Sequence, residues 1–148
     1  MDQPPYITRP IKILLAEDDI ADANLTFEVF KNSSVPVEIT RVKDGEEALS
    51  YLKKEGEFIS VPSPDMIFLD VNMPRVNGLE VLQVIKKDPE LQKIPVLMLT
   101  CSRSDEDKIR AYEAKANFYM VKPADLDEFF EFVKYVDQIW LQKLKSAG

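Results

Sequence analysis

The chain has 148 residues, 45% apolar and 30% charged, which suits one globular domain with a buried core and excludes a disordered chain. Its net charge of −7 and the lack of any basic stretch argue against direct binding to nucleic acid, and no apolar run approaches the length of a membrane span. Histidine is absent and Cys101 is the single cysteine, which removes histidine-based zinc sites, Ser-His and Cys-His nucleophiles and any internal disulfide. A reducing, cytoplasmic setting is expected, and the chemistry must rest on carboxylates, hydroxyls and lysines.

Residues 1–10, with three prolines, read as a loose arm ahead of a domain spanning 11–148. Ile11–Ala16 is the first short apolar run and reads as a strand. Ile20, Ala23, Phe27 and Phe30 then recur at helical spacing. A second strand is predicted at Val37–Val42, followed by a helix whose apolar stripe is Ala48, Leu49 and Leu52. Met66–Asp70 is the third strand, and Leu79, Leu82 and Ile85 mark the third helix. Asn77-Gly78 reads as the turn that starts it, with Gly78 supplying a positive φ, and Pro74 shapes the loop before it. Strand four is predicted at Pro95–Thr100. Residues 105–114 offer only Ile109 and Tyr112, so the fourth helix is the most weakly anchored. Phe118–Val121 is the fifth strand, and a long helix runs from about 125 to 145.

Five alternations of strand and helix predict a parallel sheet covered on both faces. Right-handed crossovers favour the strand order 2-1-3-4-5. In such a sheet, ligands sit beyond the carboxyl ends of the strands. Those ends carry Glu17, Asp18 and Asp19 after strand one, Asp70 closing strand three, Thr100 closing strand four, and Lys122-Pro123 after strand five. Asp19 reads as a helix cap rather than a ligand. Carboxylates gathered there repel: two unit charges about 4 Å apart cost about 4 kcal/mol at an effective dielectric near 20. A cation among them relieves that cost, and an all-oxygen ligand set favours Mg²⁺ or Mn²⁺. A carboxylate beside such an ion can attack a phosphoryl group and form an acyl phosphate.

In ILLAEDD (13–19), IFLDVNMPRVNG (67–78), PVLMLT (95–100) and NFYMVKP (117–123), in that order and spacing, the sequence resembles the response-regulator receiver family of two-component signalling. The resemblance implies a doubly wound, flavodoxin-like fold with Asp70 as phospho-acceptor. It implies Mg²⁺ held by Glu17, Asp18, Asp70 and the backbone carbonyl of Asn72. Thr100 matches the family's switch hydroxyl, Tyr119 its switch aromatic and Lys122 its phosphate-contacting lysine, with a cis peptide expected at Lys122–Pro123. The expected partner is a sensor histidine kinase. Ala124 and the stretch KKEGEFISVPSPD (53–65) resemble the subgroup serving phytochrome-type kinases.

Two other readings compete. An aspartate-nucleophile phosphohydrolase of haloacid dehalogenase type also combines Asp, Thr, Lys and an acidic pair, but it needs an acid two residues after the nucleophile, where Asn72 stands. Its nucleophile also precedes the acidic pair, the reverse of this order. A pseudo-receiver that never takes phosphate would lack one of the needed groups, and all are here. Independent enzymatic output is not expected, so the signal travels by protein contact.

The last helix carries two stripes: Leu126, Phe129, Val133, Val136 and Trp140, then Phe132, Tyr135 and Ile139. Twenty helical residues span about 30 Å, against about 17 Å for a five-residue strand. The helix overshoots the sheet, and Phe132, Tyr135, Ile139, Trp140 and Leu144 are expected to form a homodimer interface.

Overall fold

The structure, a computed structural model, describes residues 10–31, 36–100, 110, 113–121, 127, 131 and 133–138, apart from the side chain of Thr100. Strands β1 (Ile11–Ala16), β2 (Val37–Val42), β3 (Met66–Asp70), β4 (Val96–Thr100) and β5 (Phe118–Val121) alternate with helices α1 (Ile20–Phe30), α2 (Gly45–Leu52) and α3 (Gly78–Lys87). Short 3₁₀ turns lie at Gly56–Phe58 and Leu91–Lys93. All neighbouring strands are parallel and the order is β2-β1-β3-β4-β5, as the crossover rule predicts. Residues 133–138 are helical.

Near-continuous apolar sequence in the central strands conceals a period of two, because successive side chains leave opposite faces of the sheet. On one face Ile13, Leu15, Phe68, Leu97 and Leu99 pack with Ala23, Val29 and Phe30 of α1 and with Val133 and Val136. On the other, Leu14, Ile67, Leu69, Val96 and Met98 pack with Ala48 and Leu52 of α2 and with Val81, Leu82 and Ile85 of α3. The Phe30 and Phe68 rings meet at 5.9 Å between centroids, which fastens α1 to the central strand.

Several expectations need adjusting. Ile20, placed in the α1 stripe, is 64% exposed, while Thr26 and Val29 are buried instead. Asp19 is the N-cap of α1 and accepts from the Asp22 N–H at 3.0 Å, which puts Ile20 at the first helical position, above the sheet rather than against it. Thr26 tolerates burial because its hydroxyl donates to the Asp22 carbonyl at 2.9 Å. In α3 it is Val81, Leu82 and Ile85 that are fully buried, with Leu79 only partly so. Pro95 lies just before β4, although its carbonyl still accepts from Ile67 at 3.0 Å. Strands β2 and β5 are the sheet edges and, unlike β1 and β3, are largely half-exposed.

Gly78 starts α3 as expected, but not through a positive φ. Asn77 caps the helix in a reciprocal box with Glu80, the Glu80 N–H reaching the Asn77 side chain at 2.9 Å and the Asn77 N–H reaching Glu80 at 3.2 Å. The left-handed residue of that loop is Arg75, at φ 67°. What requires glycine at 78 is space: a Cβ would overlap the backbone carbonyl of Asp70.

Candidate functional site

Strand order brings the ends of β1 and β3 side by side, with Ala16 paired to Leu69. Each chain end then delivers an acid. Asp70 is the last residue of β3 and is buried; Glu17, immediately after β1, is buried as well; Asp18 beside it is exposed. Carboxylate oxygens of Glu17, Asp18 and Asp70 all lie within 4.8 Å of one another. Sequence reasoning named the same three, and the fold assembles them.

Backbone geometry holds each member of the trio. The Glu17 N–H extends the sheet ladder by donating to Val42 at 3.0 Å. Its Oε2 accepts from the Asp19 N–H at 3.3 Å. Arg41 reaches across from β2, donating from Nε to the Glu17 carbonyl at 2.8 Å and from Nη2 to the Asp18 carbonyl at 3.1 Å. Beyond β3 the Val71 N–H donates to Leu99 at 2.8 Å, and the Gly78 N–H returns to the Val71 carbonyl at 3.0 Å. The Asn72 N–H donates to Asp70 Oδ1 at 3.0 Å, which sets the rotation of the acceptor carboxylate.

Two buried carboxylates and an exposed one at this separation form a site of concentrated negative charge, open to water on the Asp18 side. Oxygen-only donors with one solvent-facing member suit a hard divalent cation that keeps part of its water shell. The residues present therefore fit such an ion.

Thr100 closes β4 opposite Val121, so its backbone lies one strand from Asp70, which pairs with Leu99. Tyr119 pairs with Met98 in β5, is half-buried, and packs against the core face shared by α2 and α3. Lys122, the Lys122–Pro123 peptide and Cys101 lie outside the described residues, as do Phe132, Ile139, Trp140 and Leu144. Tyr135, the described member of the expected dimer face, is 38% exposed and meets Phe118 edge-on at 6.3 Å between centroids.

Two contributors escaped the sequence reading. Arg41 gave no motif signal; its one local clue is a long cation near the carboxyl end of an edge strand, VEITRV, two residues before a turn. Asp44 is buried and caps α2 through the Glu47 N–H at 2.7 Å, a role that the D-G-x-x pattern at 44–47 could have disclosed.

Residues 13–134 match the response regulator receiver domain family. The chain is 40% identical over 133 residues to response regulator Rcp1 of Synechocystis sp., covering 90% of each. It is 39% identical over 140 residues to a probable methanogenesis regulatory protein, FilR2, of Methanothrix harundinacea, covering 94% of this chain and 89% of that one. Among solved structures, the phosphorylated cyanobacterial phytochrome response regulator RcpA superposes with a TM-score of 0.84 at 42% identity, over 91% of this chain and 96% of RcpA. The Mn²⁺-bound form of Rcp1 gives 0.81 at 40% identity, over 89% and 95%. These relatives are regulators, so neither the phosphohydrolase nor the pseudo-receiver reading is favoured. With its sheet order, its acidic rim and its sequence all in agreement, the chain belongs to the response-regulator receiver family.

Proposed function

We propose that this receiver takes a phosphoryl group from a sensor histidine kinase onto the carboxylate of Asp70. The observation that carries the reading is the convergence of Glu17, Asp18 and Asp70 within 4.8 Å at one sheet rim. A carboxylate oxygen of Asp70 attacks phosphorus and forms the acyl phosphate. The bond from phosphorus to the donor's nitrogen, or to acetate oxygen with a small donor, breaks with its electron pair leaving on the donor. Glu17, Asp18, Asp70 and the Asn72 carbonyl would hold Mg²⁺, which when bound neutralises charge on the phosphoryl oxygens. Lys122 is assigned the phosphoryl contact on the opposite side, and the Thr100 hydroxyl a hydrogen bond to a phosphoryl oxygen. Thr100 and Tyr119 together form the switch that changes the surface around β5 and the last helix.

Incubation with acetyl phosphate and Mg²⁺, followed by intact mass measurement, tests this directly. One added phosphate is expected for the parent and none for Asp70→Asn. Loss of the adduct in the parent, or its survival in Asp70→Asn, overturns the assignment.

A phytochrome-type kinase is the proposed phosphoryl donor, supported by likeness to RcpA over nearly the whole of both chains. Transfer from a panel of histidine kinases discriminates: preference for phytochrome-type donors supports it, and equal or better transfer from unrelated kinases removes it. Signalling as a homodimer through Phe132, Tyr135, Ile139, Trp140 and Leu144 is part of the same proposal. A monomer by light scattering at tens of micromolar, with and without phosphorylation, defeats that part.

A further inference from the structure

We infer that Arg41 is a positioning residue for the metal-holding acids, bracketing the two peptide groups from which Glu17 and Asp18 project. The inference rests on the reading of Glu17 and Asp18 as metal ligands and concerns how the chain keeps them in place.

Arg41 sits on the edge strand β2, in register with Leu15. Its guanidinium passes the end of the sheet and takes two successive carbonyls, Glu17 at 2.8 Å through Nε and Asp18 at 3.1 Å through Nη2. Those peptides fall between two hydrogen-bond ladders. The sheet ladder ends with the Glu17 N–H on Val42, and the first helical bond runs from the Ala23 N–H to the Asp19 carbonyl. The carbonyls of 17 and 18 therefore lie outside both ladders, and Arg41 ties them to the neighbouring strand.

A planar guanidinium has its donors at fixed angles, so two bonds to adjacent carbonyls set those carbonyls relative to each other. Orienting a carbonyl fixes ψ of its residue, and with the Glu17 N–H also anchored, the direction of the Glu17 side chain follows. Asp18 gains the same constraint from its own carbonyl. The contact is built by two elements far apart in sequence; its bond to Glu17 is part-buried, so solvent competes with it only in part, while its bond to Asp18 is exposed.

Coulomb's law acts in the opposite sense, which makes the inference testable by sign. A positive charge near two ligand acids weakens the attraction of a cation to them. If Arg41 acted only as a charge, its removal would tighten metal binding; if it positions the ligands, removal loosens it.

Calorimetric titration of the full chain with Mg²⁺ decides between these. Arg41→Met is expected to raise the Mg²⁺ Kd about tenfold, the lower end of the loss seen when a group supporting a metal ligand is removed. Arg41→Lys keeps the charge but replaces the fork with one ammonium, and is expected to fall between parent and Arg41→Met. Lys43→Met removes a neighbouring exposed cation without touching the bracket, and its Kd is expected to stay equal to or below that of the parent. Thermal melts in EDTA establish that each variant is folded, and if Arg41→Met does not fold, Arg41→Lys decides by the same sign. A lowered melting temperature with an unchanged or smaller Kd overturns the inference and leaves the metal site standing. Failure of the parent to bind Mg²⁺ overturns both.

Discussion

Gly78 leaves no room for a side chain, because its Cα sits against the carbonyl of Asp70 and a Cβ there would meet backbone, not the end of a flexible side chain. Asp70, the proposed phospho-acceptor, and the residue that opens α3 are thus in direct backbone contact. Gly78→Ala is expected to destabilise the fold by about 2 kcal/mol, in the range for overpacking a filled site, and to slow phosphate addition to Asp70. Chemical denaturation and the initial rate with acetyl phosphate measure the two effects. Gly45 stands in the same relation to the Val76 carbonyl, so the loop after β3 is wedged between two glycines. Sequence made Gly78 visible as a turn residue, but assigned it conformational freedom where the fold uses its small volume. The distinction is invisible in sequence, since both demands are met by the same absent Cβ.

Helix ends and edge strands show how elements carry the site. Asp88 ends α3, and its carboxylate accepts from the N–H groups of Glu90 at 2.8 Å and Leu91 at 3.0 Å, starting the following turn. The Leu91 and Glu90 hydrogen bonds hold its pKa below the usual carboxylate value, against a small opposing effect of desolvation. A depressed folded pKa stabilises above the unfolded value, about 3.9 for aspartate, and the benefit is lost as pH falls through the lower folded value. Asp88→Asn is therefore expected to be less stable than the parent at pH 7, with the gap closing below about pH 4. Denaturant midpoints at pH 7 and pH 3 check it. The order of strands and helices was readable because each apolar run is bounded by turn residues. Which helical residues face inward was less so: Ile20 and Val29 are both apolar, but Val29 packs with Ala23 and Phe30 on the sheet while Ile20, in the first turn, is exposed.

At the scale of the whole molecule, three of the acids behind the net charge of −7 are gathered at one rim. Folding without a cation must hold these groups together, so a divalent ion that binds only the folded state should stabilise it. Mg²⁺ at a hundredfold excess over its Kd is expected to add about 2.7 kcal/mol to unfolding. Melting curves with and without Mg²⁺ measure this, and Asp18→Asn should shrink the shift. Among the described residues no helix is long and apolar enough to cross a membrane.

Strand identity, sheet order and the acidic trio were determined by sequence alone, because apolar period, turn chemistry and crossover handedness are local rules whose sum allows few topologies. Only the tertiary structure decided that Arg41 brackets the carbonyls of Glu17 and Asp18, and that Gly78 lies against Asp70. Those contacts join residues 23 or more positions apart in the first case and two backbones at closest approach in the second. Neither contact leaves a periodic trace in the chain: the first arises only once β1 and β2 lie side by side, and the second once the loop after β3 returns to the end of its strand.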